Sequence, residues 1–523
     1  MGSGYRIFDR AATVFFFFLL VYLLTLTSNF TGPHDSMAYL QMLRTKQHLW
    51  HPHHLLYHQL SYYWLHLLKN FFPGVQEYFL VESFSSLFGA GTLAVVFLFF
   101  RNRYHLPVLT SWLGTAVVGF SYGVWFYSVN VEVYAPSLFF TVLCLYQLSK
   151  REWDAKAVWL TAIFHSLAIL FHQMNILMAP IVIYKIIEQR KNIFVFKSFF
   201  WYGLTGIVMV GGIYFLAGRF GEGHADLESW IAWVRGYTIT NEYWRPLSWK
   251  TPLFAGTGFL HTILGGHFVF KLGLEKWITS LLHSHSLQDE FFLVRGMSAG
   301  FGRILFMLSL MLSLLILFLF IKFLARFQWI VKNYYYIMLP LLLYFGIYSF
   351  YFLFWMPEIL EFWIGQCIVF WLLLIGNYQP VNKRLNVLVG GILLLIISIN
   401  YAGSIRPLRN LNNDIGYVRI EKVRELAAPN DLVLVQNPWL LKEFIEYYTP
   451  ASVLQAPQDT LQKDSIRHSV QNELASGHKV FIFIDRQEST ETSNPVFLNE
   501  LIEQYQSRAA QIQQKPAEVW LIK

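Results

Sequence analysis

Long apolar runs separated by short polar breaks occupy most of the chain up to about residue 403. A helix of roughly 17–25 mostly apolar residues is long enough to cross a bilayer core. Such runs predict helices near 11–29, 78–100, 107–128, 133–149, 157–171, 174–188, 197–217, 302–322, 335–355, 361–377 and 385–402, eleven spans in all. The first follows MGSGYRIFDR and lacks a small-residue cleavage site, so it reads as a retained helix and not as a signal peptide. Short cytoplasmic loops collect Lys and Arg. With the N-terminus inside, Arg6 and Arg10, then Arg101 and Arg103, Lys150 and Arg151, Arg190 and Lys191, Lys322 and Arg326, and Lys383 and Arg384 all fall on the inner side. The short outer turns 129–132, 172–173 and 356–360 contain no Lys or Arg.

Two long segments are then outer loops, 30–77 and 218–300. In the first, Leu56, Leu60, Tyr63, Trp64 and Leu67 recur at helical spacing, which predicts an amphipathic helix on the membrane surface. From about 404 the pattern changes. DLVLVQ (431–436), ASVLQA (451–456) and KVFIFID (479–485) read as buried strands, LLKEFIEYYT (440–449) as a helix, and EVWLIK (518–523) as a last strand. The expected fold class is a polytopic α-helical membrane domain, 1–403, followed by a small extracytoplasmic α/β domain, 404–523.

Composition supports this division. Hydrophobic residues make up 55% of the 523 and charged residues only 14%, against roughly 25% in soluble domains, which excludes a soluble or disordered chain. The net charge of +8 suggests acidic partners such as nucleic acid, but basic inner loops account for it. Cys144 and Cys367 both lie in apolar runs, so neither a disulfide framework nor a cysteine metal site is expected.

Ionisable residues recur in the predicted outer turns: Asp35 in TGPHDSMAYL, Glu132 in YSVNVEVYAPS, His172 in LFHQMN, and Glu358 and Glu361 in WMPEILEFW. Charges at a bilayer boundary are costly unless paired or facing a wet cavity. Singly, Asp35 also reads as a solvated turn residue and Glu132 as a carboxylate at a helix N-terminus. The run HLWHPHHLLYH places His51, His54 and His58 on one helix face, a spacing compatible with a divalent metal. The same histidines also read as hydrogen-bond donors to a phosphate or sugar.

Asp35, the His51-Pro52 pair sixteen residues later, and the stretch from Trp125 to Tyr134 together resemble the GT-C membrane glycosyltransferases. Protein O-mannosyltransferases and the bacterial enzymes that add aminoarabinose to lipid A are more distant likenesses. The resemblance is best over residues 1–180. It implies inverting transfer of a sugar from a polyprenyl-phosphate donor to a hydroxyl on a protein, lipid or glycan, at the outer face of the membrane. Asp35 then corresponds to the general base, and Glu132 to a second acid that orients acceptor or base. The nearest likeness is to a bacterial and animal branch marked by an Ala-Glu-Val-Tyr-like segment, where this chain has Asn130-Val131-Glu132, and it has His34-Asp35-Ser36 where the O-mannosyltransferases have an Asp-Glu pair.

The chemistry is consistent with these residue types. An attacking hydroxyl must lose a proton to a base within reach. The leaving group is already a phosphate, which needs stabilisation of its charge and no second acid. His51, His54, His172, Arg245 and Arg295 are the candidates for that role, Arg295 being favoured from its place before the eighth helix. Glu358 and Glu361 join the substrate-binding set. A transporter and a non-enzymatic envelope scaffold or sensor are the alternatives; the first expects ionisable groups at the midplane of repeated halves, which are not seen here. A bacterial inner membrane is the expected location.

Overall fold

The computed structural model describes residues 10–189, 192–236, 243–274, 280, 287–377, 383–436, 440–457, 460–484 and 496–523. Arg6, Arg190, Lys191 and Asp485 lie outside them. The chain forms two compact units. The first comprises Met1–Thr27, Lys46–Leu274 and Met297–Arg406, and the second Ser28–Thr45, Glu275–Gly296 and Pro407–Lys523. Ser28–Thr45 and Glu275–Gly296, read from sequence as parts of the outer loops of the membrane domain, thus group with the tail.

In the first unit a helix occupies each apolar run. Glu77–Arg103, Ile193–Gly221, Ala299–Ala325, Phe327–Phe352 and Lys383–Leu408 are long and apolar enough to cross a membrane. Val108–Phe120 and Tyr122–Ser128 make a sixth if taken as one span bent by 70°. Ala11–Leu24, Tyr134–Leu148, Ala155–Phe171 and Leu360–Gly376 are apolar but shorter. At 1.5 Å per residue, helices of 14 to 17 residues reach about 21–26 Å, less than the ~30 Å hydrocarbon core. Among the described residues, therefore, five or six helices meet the spanning length where eleven were expected. Ala299–Ala325 leaves Ile304, Met307, Leu314, Leu317 and Ile321 exposed, an arrangement suited to lipid and costly in water. The helix Tyr57–Phe71 likewise exposes Leu60, Tyr63, Leu67 and Phe71 while burying Tyr57, His58, Ser61 and Leu65.

The bend has a local cause. Ser121 is extended (φ −60°, ψ 135°); its hydroxyl donates to the Val117 carbonyl at 2.9 Å and accepts the Trp371 indole N–H at 3.0 Å. A serine that bonds back one turn competes with the helix ladder, and a buried tryptophan fixes the result.

The second unit contains a five-stranded sheet in the order β2-β1-β3-β5-β4. Its strands are β1 (Leu432–Val435), β2 (Ser452–Gln455), β3 (Val480–Ile484), β4 (Ala509–Gln513) and β5 (Glu518–Ile522). β1 pairs in parallel with β2 and β3, and β5 runs antiparallel to both β3 and β4. β1 and β3 are buried throughout, as expected of central parallel strands with continuous apolar sequence. The expectation that ASVLQA is buried is corrected: β2 is an edge strand, and Ser452, Leu454 and Gln455 are exposed. Leu434, Ile482, Phe497, Leu498 and Leu501 form the core on one side of the sheet.

Candidate active site

Glu132 is delivered by the turn that follows the bent helix. Thr27, at the end of the first helical segment, donates its hydroxyl to Asn130 Oδ1 at 2.8 Å and its N–H to the Val129 carbonyl at 3.3 Å. Glu132 is 1% exposed, accepts the Val133 N–H at 3.3 Å, and lies within electrostatic reach of Tyr57 and Tyr127.

The histidine run faces the same region. Pro52 opens a short 3-10 turn, Pro52–His54, and Tyr214 donates its hydroxyl to the Pro52 carbonyl at 2.6 Å. The Leu56 N–H donates to the Leu170 carbonyl at 3.0 Å, bringing the run against the turn that carries His172. The His51 and His54 rings stack at 5.5 Å, and His54 meets His172 edge-on at 4.8 Å. Burial is the main reason these rings are hard to protonate. It pushes His51 and His53 down to about 4 and His58 and His172 down to about 3, and holds His54 well below the usual value. They are therefore neutral at physiological pH, with one N–H each, which His53 gives to the Arg235 backbone, and not the cations that a phosphate would meet first. For His172 the donor is identified: Nδ1 accepts the Met174 N–H at 3.3 Å, which leaves the proton on Nε2. Asn175 fixes this turn, donating to Ser137 Oγ at 2.7 Å and to the His172 carbonyl at 3.1 Å.

Glu361 joins the cluster through two phenols. Tyr134 donates to one carboxylate oxygen at 2.6 Å and Tyr127 to the other at 3.0 Å, and the Tyr134 ring lies 5.4 Å from His172. The Glu358 side chain is 5% exposed and sits 3.8 Å from the guanidinium of Arg245. The Arg245 N–H donates to the Phe354 carbonyl at 2.7 Å, next to Trp355.

A cavity of about 430 Å³ opens in this unit. His53, His172 and Gln173 contribute its polar groups, and Ile169, Ile176, Val210, Tyr214, Trp230 and Trp355 are among its apolar and aromatic walls. Of the residues named from sequence, His51, His54, His172, Glu132 and Glu361 thus come together, with Arg245 and Glu358 beside the Trp355 wall.

Asp35 and Arg295 belong to the second unit. Asp35 precedes the helix Ser36–Thr45 and accepts the Tyr39 hydroxyl at 3.1 Å. It is solvent-accessible, yet surrounding protein desolvates it enough to raise its carboxyl above the usual value, against the opposing influence of Tyr39 and His34. Arg295 lies 3.7 Å over the Phe292 ring and donates to the Asn412 carbonyl, local contacts that account for its position without a phosphate. Asn29 of the Asn29-Phe30-Thr31 sequon is buried, with Oδ1 accepting the Gly32 N–H at 2.9 Å.

His53, Tyr127, Tyr134 and Tyr214 were not singled out from sequence. His53 lay within the histidine run and Tyr134 within the Glu132 motif, but tyrosine is too frequent here, at 29 residues, to stand out alone. Among the described residues, no group of three or more His, Cys, Asp or Glu side chains is arranged to hold a metal ion, the His51, His54 and His58 set included.

The chain shares its fold with ArnT, and part of it matches a protein O-mannosyl-transferase family model, likenesses that support a glycosyltransferase. Residues 58–193, about a quarter of the chain, match the family model of the protein O-mannosyl-transferase TMEM260 N-terminal domain, a stretch that contains Glu132 and His172 but not Asp35. ArnT from Cupriavidus metallidurans bound to undecaprenyl phosphate superimposes with a TM-score of 0.57 at 8% identity, covering 100% of this chain and 98% of ArnT. Its apo state gives 0.59 at 8% identity, with 96% of each chain covered. No curated protein matches the sequence.

Proposed function

We propose that the chain transfers a sugar from a polyprenyl-phosphate donor to a hydroxyl acceptor at the outer face of a membrane, with Asp35 as general base. The observation that carries this reading is the cavity of the first unit, an apolar and aromatic pocket with His53 and His172 among its lining residues. That is the form an amphiphile with a phosphate head requires. The isoprenoid chain lies along Ile169, Val210, Tyr214 and Trp230, and the phosphate accepts a hydrogen bond from His172 Nε2. Buried neutral donors suit a departing phosphate: they need no reorganisation, and in low dielectric they act strongly on the oxygens where charge accumulates. His51 and His54 support His53 and His172 from behind, and Arg245 supplies the nearby fixed positive charge, in preference to Arg295. Glu132 orients the acceptor. The ArnT structure with undecaprenyl phosphate, sharing the fold, supports a polyprenyl carrier. The O-mannosyl-transferase family match makes mannose and a Ser/Thr hydroxyl the first pair to examine. A bacterial inner membrane, with the tail on its outer side, is the setting that fits this chemistry.

The test is turnover of undecaprenyl-phosphate mannose with a Ser/Thr-rich peptide by the purified protein in liposomes. Asp35→Asn is expected to lower kcat by about 10²–10⁴-fold while donor binding persists. Normal turnover by that variant would remove Asp35 as the base.

A further inference from the structure

The second unit contains a buried carboxylate that the proposed chemistry does not use. Asp414 is 0% exposed and organises two separated pieces of chain. Oδ2 accepts the N–H groups of Phe30, at 2.6 Å, and Thr31, at 3.2 Å. Oδ1 accepts the Thr31 hydroxyl together with the N–H groups of Gly416, at 2.9 Å, and Tyr417, at 3.3 Å. Thr31 Oγ in turn accepts the Gly416 N–H at 3.1 Å. The Ser28 N–H donates to the Leu408 carbonyl at 2.9 Å, so the segment is tied to the tail at both of its ends. Space is tight as well. A Cβ on Gly416 would come within 2.6 Å of Phe444 and 2.8 Å of Thr31 Oγ, so only glycine allows this approach.

The order carries forward to Asp35. The His34 N–H donates to the Thr31 carbonyl at 3.2 Å and the Asp35 N–H to the Pro33 carbonyl at 2.8 Å, a compact turn with His34 at φ +67°. The helix Ser36–Thr45 then begins, and Arg44 near its end donates to the Tyr447 carbonyl at 2.8 Å. Asp35 thus sits between two anchor points, both on the tail.

We propose that Asp414 is a positioning residue for Asp35, and that the tail from Pro407 onward is a working part of the catalytic apparatus instead of an appended module. This rests on the reading of Asp35 as the base. The two oxygens of Asp414 are not interchangeable with an amide. Asparagine has one acceptor oxygen, so either the Phe30 and Thr31 donors or the Gly416 and Tyr417 donors lose their partner. Thr31→Val removes one hydroxyl at nearly constant shape, and Thr31→Ser keeps it.

The full-length protein in liposomes, with undecaprenyl-phosphate mannose and the Ser/Thr-rich peptide, provides the test. Misplacing a reacting group by about 1 Å costs on the order of 10²-fold in rate. Thr31→Val and Asp414→Asn are expected to lower kcat on that scale with the donor KM unchanged, and Thr31→Ser to restore it. In Thr31→Val the acid limb of the kcat profile should move down toward the ordinary carboxylate range, because a loosened Asp35 is better solvated. Amide exchange at residues 30–36 should rise, a readout independent of substrate. Thr31→Val and Asp414→Asn with wild-type kcat, acid limb and exchange, beside an inactive Asp35→Asn, would overturn the positioning role alone. An active Asp35→Asn would instead overturn the base, and this inference with it.

Discussion

Gly236 shows how narrowly a single residue can be constrained around the cavity. It ends the helix Leu227–Arg235, which carries Trp230 and Val234 on the cavity wall, and its φ is +49°. A Cβ at this position would come 2.4 Å from His53 Nε2. With ψ at −136° this is backbone that glycine alone adopts readily, costing other side chains on the order of 1–3 kcal/mol, and the imidazole would also have to move. Gly236→Ala is therefore expected to weaken binding of undecaprenyl phosphate, read from tryptophan fluorescence, by about tenfold, equivalent to ~1.4 kcal/mol. Unaltered affinity would mean that His53 does not contact the phosphate.

Among the elements, the short turn Leu360–Trp363 does more than join two helices. Through Glu361 it holds Tyr127 of the bent helix and Tyr134 of the following one. Hydrogen bonds to a charged group contribute about 1.5–3 kcal/mol each. Glu361→Gln is expected to lower stability in detergent by a similar amount and to reduce kcat by loosening Tyr134 against His172. Tyr134→Phe should reproduce the loss of rate with a smaller loss of stability, and equal effects on both would make Glu361 purely structural. Much of this level was legible in the sequence, because ionisable residues in an apolar chain are rare and Glu132, His172 and Glu361 stood out for that reason. The apolar runs marked the helices, since hydropathy acts over a whole segment. The bend at Ser121 was hidden because it depends on Trp371, remote in sequence. β4, with the sequence AAQIQ, has too little apolar alternation to announce an edge strand. The neutral state of the histidines was unreadable too: residue type gives the capacity to ionise, and burial decides whether it is used.

For the whole molecule, the two units should respond to acid in opposite directions. In the first, His51, His53, His58 and His172 have folded values of about 3 to 4, below the 6.5 of an unconstrained histidine. Between these limits the unfolded chain binds protons that the folded one refuses. Stability contributed by neutral histidines is thus full above pH 6.5 and declines as pH falls toward 4. In the second unit burial raises Asp414 to about 6, from an ordinary 3.8, and raises Glu443 as well. There the folded form holds the proton more tightly, so stability rises as pH falls through 6 and is lost as pH rises again. Taking the protein from pH 7.5 to 5 should therefore increase amide exchange, corrected for the intrinsic rate, around 51–58 and 172–178, and decrease it around 412–424. Undecaprenyl phosphate should oppose the first change, since a bound anion makes protonation of the surrounding imidazoles favourable without loss of the fold. If exchange around 51–58 and 172–178 does not rise on acidification, burial of the histidines is not what sets the acid response, and the neutral-donor account of the phosphate site fails with it.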